Sequence, residues 1–155
     1  MDAVYRLTSA ILGDEADARD AAQETFVLAW RELPRLREPD KFEAWLQRVA
    51  VNAARMTLRA RGRRRVREIP SSQVDSHAGL VATDDGAGAD AARLDAALVM
   101  LPVDQRAILV LHHLDGRPLA ELATMLEIPV GTAKSRLFAA RRALETALRA
   151  DETDR

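Results

Sequence analysis

The chain has 155 residues, of which 48% are apolar and only six aromatic, with no cysteine and a net charge of −1. That length admits one ordinary domain or two small ones, and an apolar set dominated by Ala and Leu suits helical bundles better than sheets. The missing cysteine excludes a disulfide framework, thiolate metal sites and thiol catalysis.

The opening Met1-Asp2-Ala3-Val4-Tyr5-Arg6 lacks the basic start and apolar block of a signal peptide. No apolar run approaches the roughly 20 residues needed to cross a bilayer. A cytoplasmic protein without membrane insertion is therefore expected.

Val4, Leu7, Ile11 and Leu12 fall at helical spacing, and Gly13-Asp14 stops that first helix. The second helix runs from about Glu15 to Leu33, with Ala22, Phe26, Ala29 or Trp30, and Leu33 on one side, until Pro34 ends it. Its other side carries Asp17, Asp20, Glu24 and Arg31, with Val27 and Leu28 within or beside the strip. An acidic strip with exposed apolar residues suits the docking of a protein helix. Acids in a first turn also complement the helix macrodipole, so spacing alone leaves both readings open.

A third helix begins near Lys41 and continues toward Arg61, with Phe42, Trp45, Leu46, Val49, Ala53 and Met56 along one stripe. Trp45, Arg48, Asn52 and Arg55 recur on it at about one turn. Asn and Arg can bond base edges or phosphates, and an aromatic can stack on an unpaired base. Trp45 equally suits a half-buried core position. Gly62 weakens the helix, and Arg61 with Arg63, Arg64 and Arg65 forms a tight basic cluster.

The small net charge hides blocks of opposite sign. Residues 1–30 carry −4, residues 31–67 carry +8, residues 68–101 carry −5 and residues 102–150 carry +2. Segregated charge indicates distinct partners for distinct surfaces. The +8 block is a candidate for phosphate contact, against the plainer reading of a solvated helix end.

From Ile69 to about Asp90 the residues are small, polar and acidic and cannot bury enough surface to fold. This stretch reads as a flexible linker. Beyond it, Ala91 to Leu101 supplies Leu94, Leu98 and Leu101, and Pro102 breaks the helix. Val103 to Leu114 is the next, with Ile108, Leu111 and Leu114 inward. Asp115-Gly116-Arg117 turns, Leu119 to Leu126 is short, and Ile128-Pro129-Val130-Gly131 turns again. A long helix then runs from about Val130 to Leu148.

Helix, tight turn and basic helix over Leu119 to Leu144 form the pattern of a helix-turn-helix. Val130, Ala133, Leu137, Ala140, Leu144 and Leu148 define one buried face of the long helix. The opposite face holds Gly131, Ser135, Phe138, Ala139 and Arg142, flanked by Lys134 and Arg136. Ser135 can bond a base edge or phosphate, Lys134 and Arg142 can reach guanine or phosphate, and Phe138 can touch a thymine methyl. The plainer reading is an amphipathic bundle helix with Phe138 packed on the linker.

With these residues in place the chain resembles the extracytoplasmic-function (ECF) group of bacterial sigma factors over nearly its whole length. Val4-Tyr5-Arg6-Leu7 through Leu12-Gly13-Asp14 resembles the family's opening helix, and Asp17 to Phe26 its core-polymerase-binding signature. Phe42-Glu43-Ala44-Trp45-Leu46 with Val49-Ala50-Val51-Asn52 is similar to its promoter-melting helix. Leu101 to Arg106 and Val130 to Leu137 are similar to its DNA-binding C-terminal domain.

The resemblance implies an all-α fold of two small helical domains joined by a flexible linker. Residues 1–67 would be sigma region 2, 68–90 the linker, 91–150 sigma region 4 with its helix-turn-helix, and 151–155 a tail. Asp17, Asp20, Gln23, Glu24 and Leu28 would bind the clamp helices of the polymerase's largest subunit. Trp45, Arg48, Asn52, Arg55, Arg59, Arg61, Arg63, Arg64 and Arg65 would serve −10 recognition and melting, with a base pocket at Glu38 to Phe42. Thr132, Lys134, Ser135, Arg136, Phe138 and Arg142 would serve the −35 element.

Further partners implied are promoter DNA and an anti-sigma factor; no cofactor or metal is expected. The mechanism would be binding alone, duplex stacking being exchanged for captured single-strand bases at a few kcal/mol each, in order of magnitude. Two departures from the family pattern stand out. The chain starts inside the opening helix, which implies a shortened start, and Ala139 stands where some members carry a basic residue.

Three rival readings compete with this one. A stand-alone helix-turn-helix regulator accounts for Leu119 to Leu144 but leaves the acidic strip and the Asn52 helix idle. A helical adaptor would show no salt-dependent DNA affinity. An enzyme is not expected: His112-His113 lacks a metal-site pattern, His77 sits in the linker, and no nucleophile elbow or phosphate loop is present.

Overall fold

The structure, a computed structural model, describes residues 2–67 and 86–153, with side chains described for residues 3–64 and 88–150. The described residues form seven α-helices and no strand: α1 Asp2–Leu12, α2 Glu15–Glu32, α3 Phe42–Arg67, α4 Gly86–Val99, α5 Val103–Leu114, α6 Leu119–Met125 and α7 Val130–Thr153. The all-α expectation holds. Residues 68–85 of the expected linker lie outside the described residues, and its last part, from Gly86, is already helical.

Two residues suffice to join α1 to α2. Gly13 takes a left-handed φ of 68° while its N–H donates to the Ser9 carbonyl at 2.8 Å. That closes α1 in the manner glycine permits at no steric penalty. Asp14, extended at φ −126°, then accepts the Asp17 N–H at 2.8 Å and starts α2. A Cβ at residue 13 would overlap the γ2 methyl of Val99 as well as strain the backbone. Gly13→Ala is therefore expected to destabilise the chain by more than about 1 kcal/mol in thermal or urea melts.

Helices α1, α2 and α3 pack on one another. The inner face of α2 is Ala18, Ala21, Ala22, Thr25 and Ala29, which meets Ala50, Val51, Ala53 and Ala54 of α3 and the larger Val4, Leu7, Ile11 and Leu12 of α1. Small side chains let the helix axes approach closely, so alanine rather than aromatics fills the contact. Of the alternatives Ala29 or Trp30 for the inner side, Ala29 is buried and Trp30 is consequently 79% exposed, while Leu33, expected inward, is 43% exposed. Met56 is exposed for the same reason. Buried Thr8 donates to the Ala18 carbonyl at 3.0 Å and buried Thr25 to that of Ala21 at 2.7 Å, so neither hydroxyl is orphaned.

Pro34 does not end α2 alone. The helix closes at Glu32 into a 3-10 turn over Leu33–Arg35, and a second turn over Pro39–Lys41 leads into α3. That helix passes Gly62, where it was expected to falter, and reaches Arg67. One glycine costs a helix only about 1 kcal/mol, and arginines on either side favour the helical state.

In the second half α4, α5 and α6 pack on α7. Leu98, Leu101, Ala107, Ile108, Leu111, Leu122, Ala133, Leu137 and Ala140 are its buried core, whereas Leu94, Leu114 and Val130, expected inward, are largely exposed. Leu114 and Val130 sit at helix ends, beyond the packed centre. The turn of the helix-turn-helix lies one step earlier than expected. Leu126 and Ile128 donate back into α6, Glu127 holds the left-handed position at φ 56°, and Gly131 is already within α7.

The two halves touch. α1 packs against α4 and α5, and α3 meets α5 and α6. At their junction the guanidinium of Arg106, only 4% exposed, donates to the carbonyls of Ile11, Val99 (2.7 Å) and Leu101 (2.9 Å). Burial lowers its pKa to about 10, so it remains a cation near neutrality.

Candidate nucleic-acid and polymerase interfaces

The clearest surface is the outward face of α7. Ala133, Leu137 and Ala140 anchor the helix in the core, and the opposite side presents Gly131, Thr132, Lys134, Ser135, Phe138 and Arg142 to solvent. Arg136 is half-buried at its edge. Phe138 is 63% exposed with the Arg142 guanidinium 5.9 Å from its ring centre, a stacked pair of apolar and cationic groups. Ser135 hydroxyl donates only to the Thr132 carbonyl in its own helix, at 3.1 Å. Five of the six residues read from sequence as −35 contacts thus share one exposed helix side, with Arg136 at its edge.

The acidic strip of α2 is also on the surface. Asp20, Gln23 and Glu24 are exposed, with half-buried Leu28 beside them. Asp17 differs from the rest, because its carboxylate holds Arg61 of α3 at 3.3 Å. Asp14, Asp17, Asp20, Arg61 and Arg64 line one polar recess between the two helices. Around the helix from the acids, Tyr5, Ala22, Phe26, Val27 and Trp30 line an apolar cleft edged by Arg19 and Arg31. This cleft was missed from the sequence. The sequence leaves Ala29 or Trp30 for the inner side, and the alanine spacing of α2 is the signal that favours Ala29.

On α3 the candidate promoter residues form a row along one side. Trp45 is half-buried with its ring centre 5.8 Å from that of Phe42. Asn52 is exposed, and its side-chain oxygen accepts from Arg55 at 3.3 Å. Arg59, Arg63 and Arg64 are exposed further along. The side chain of Arg65 lies outside the described residues.

Arg48 and Arg55 are engaged by the other half. Arg55 Nε donates to Asp104 Oδ1 at 2.7 Å, and Arg48 pairs with Glu127 at 2.6 Å. Buried Gln47 donates to Asp115 at 2.5 Å and accepts from Arg117 Nε at 2.6 Å, while Arg117 also pairs with Glu121 and reaches Glu43 at 3.9 Å. These acids were not singled out in the sequence, since nothing local marks a pair so far apart along the chain.

Two family descriptions match, Sigma-70 region 2 over residues 1–64 and Sigma-70 region 4 over residues 91–144. RNA polymerase sigma-H factor of Pseudomonas aeruginosa is 35% identical over 148 residues, covering 87% of this chain and 75% of that protein. The chain belongs to the ECF sigma factors of bacterial RNA polymerase. The ECF sigma-E factor of Salmonella typhimurium is 34% identical to this sigma factor over 83% of its length and 72% of the relative's. For SigE of Mycolicibacterium smegmatis the identity is 34%, with 56% of that longer protein covered.

Solved structures agree. The sigma factor RpoE in complex with the anti-sigma factor NepR from Bartonella quintana superposes with a TM-score of 0.73 at 25% identity, covering 97% of this chain and 92% of that one. CnrH in complex with the cytosolic domain of CnrY gives 0.67 at 27% identity, covering 96% and 82%. The sigma factor binds polymerase core and directs promoter recognition, strand opening and initiation. No described helix is long and apolar enough to cross a membrane.

Proposed function

We propose that three surfaces divide this work. Asp20, Gln23 and Glu24, with Asp17 and Leu28, engage the clamp helices of the largest polymerase subunit. Trp45, Arg48, Asn52, Arg55 and the basic end of α3 from Arg59 to Arg65 hold the −10 region as its strands part. Thr132, Lys134, Ser135, Arg136, Phe138 and Arg142 read the −35 element. Residues 1–67 and 91–150 act as separate gripping units, and the site of action is the cytoplasm, where polymerase and promoter meet. An anti-sigma protein is a further partner, as for the similar RpoE structure. The protein makes and breaks no covalent bond; its catalysis is binding energy.

The observation that carries this reading is the exposed face of α7, where Phe138, Ser135, Lys134 and Arg142 stand opposite Ala133, Leu137 and Ala140. Run-off transcription with purified core on a randomised promoter library tests it: selected templates should share two motifs, and no product should form without the chain. Lys134→Ala is expected to weaken −35 duplex binding uniformly across sequences and lower the salt slope by about one. Arg142→Ala is expected to cost about 1–3 kcal/mol and relax preference at one position of the selected motif.

A further inference from the structure

We propose that Lys134 is a modification site, whose ε-amine accepts an acyl group from an activated acyl donor that carries phosphate, and that the resulting amide switches off the −35 face. The inference rests on the assignment of the outward side of α7 to the −35 element made above. Of the 23 lysines and arginines in the chain, only Lys41 and Lys134 are lysines. The distinction is chemical. A guanidinium stays protonated and offers no electron pair for attack on a carbonyl, whereas an ε-amine does so once it releases a proton. Acylation of side-chain amines is therefore confined to two positions, and one of them stands on the DNA-reading side of α7.

The two amines have opposite surroundings. Lys41 lies in the turn before α3 between Asp40 and Glu43, with its Nζ 2.5 Å from a carboxylate oxygen of Glu38. That hydrogen bond and the charge of Glu38 raise its pKa and so favour the unreactive ammonium form. Lys134 is exposed and makes no ion pair or side-chain hydrogen bond with the described residues. From Ile128 to Leu144 the chain contains no acid, while Arg136, Arg141 and Arg142 accompany Lys134 on the same helix. An acyl phosphate, or an acyl thioester on a phosphorylated carrier, is itself a phosphate ligand. The cations suited to the DNA backbone thus also gather such donors around the one amine among them. Ser135 does not compete, because its hydroxyl donates to the Thr132 carbonyl rather than to a base that could activate it.

The step needs no redox partner. Lys134 Nζ loses one proton to water and attacks the donor's carbonyl carbon. An N–C bond forms, the C–O bond to phosphate or the C–S bond to the carrier thiol breaks, and phosphate or thiolate leaves with the electron pair. A second proton passes from the nitrogen to water, and the former ammonium becomes a neutral amide. Ala133, Leu137 and Ala140 on the inner side are untouched, so the helix stays docked while a charged donor to DNA is lost.

Treating purified chain with acetyl phosphate in one arm and acetyl-coenzyme A in the other, followed by peptide mass mapping, tests the site and separates the two donor sources. In at least one arm Lys134 should acylate at least about tenfold faster than Lys41. A duplex carrying the selected −35 motif, at about ten times its Kd, should slow Lys134 by about tenfold because it occupies the same cations. The acylated chain should bind that duplex at least about tenfold more weakly, as for the loss of one charge-assisted hydrogen bond. Its affinity for core polymerase should stay within about twofold. Lys134→Arg keeps the charge and refuses the acyl group, so its duplex affinity, whatever its starting value, should not change on treatment.

Acylation of Lys134 no faster than that of Lys41 with both donors, no protection by the duplex, or an acylated chain that binds as the untreated one overturns the modification site. So does a loss of binding on treatment that Lys134→Arg shares. If Lys134→Ala binds the −35 duplex as well as the parent, the assignment of α7 itself falls, and that variant tells the two failures apart.

Discussion

Reversing Asp20 and Glu24 together, as Asp20→Arg with Glu24→Arg, is expected to weaken binding to core polymerase by at least about a hundredfold. Each reversal replaces an attraction by a like-charge contact, and truncating one partner of a buried interfacial charge pair already costs about 2–5 kcal/mol. A total of about 3 kcal/mol already corresponds to more than a hundredfold in Kd. The fold should not register the change. Both side chains are exposed, on the side of α2 away from Ala18, Ala21 and Ala29, and neither makes an ion pair among the described residues. Asp17 would be a poorer choice, because its loss also releases Arg61. Titration of labelled chain into core, alongside a melt that stays within about 0.5 kcal/mol of the parent, checks both halves of the expectation. A drop in affinity of less than about twofold, with the fold intact, would remove the acidic strip from the interface.

The pattern-bearing parts of this molecule were legible and the contact-bearing parts were not. Helix α5 falls where Pro102 and Asp115 bound an apolar run, and α7 shows its buried face because Ala133, Leu137 and Ala140 recur at helical spacing. In α2 the sequence leaves Ala29 or Trp30 for the inner side, and the structure buries Ala29, since a side chain's size says little where alanines set the distance between helices. The start of α4 reads as linker because small, polar and acidic residues up to Asp90 offer little surface to bury; packing of α4 on α7 nevertheless extends the helix to Gly86. The contacts between the two halves were invisible for a simpler reason. Arg48 and Glu127 are 79 residues apart and Arg55 and Asp104 are 49 apart, and periodicity within a helix contains no information about such pairs. Sequence thus exposed the candidate DNA donors on α3 but not the acids that occupy two of them.

Replacing Arg106 by a methionine of similar reach (Arg106→Met) is expected to destabilise the chain by about 3–5 kcal/mol, the range seen when one partner of a buried charged network is removed. Two effects oppose each other. Burying the guanidinium is unfavourable, as its pKa of about 10 shows, so an apolar side chain recovers that penalty. The carbonyls of Ile11, Val99 and Leu101 cannot be removed with it, however, and each buried acceptor left without a donor costs about 1–3 kcal/mol. Three such losses exceed the recovered desolvation. Thermal midpoints should fall by roughly 10 °C at this chain length. Arg106→Lys should fall between the two, because an ammonium donates three bonds but cannot span the planar fork that reaches both halves. The location of the damage is diagnostic. Ile11 closes α1 and Val99 closes α4, so amide exchange should quicken at the ends of both helices, one in each half. Faster exchange confined to α4 and α5 would mean that Arg106 organises only its own half and that the contact with Ile11 contributes nothing to holding the two together.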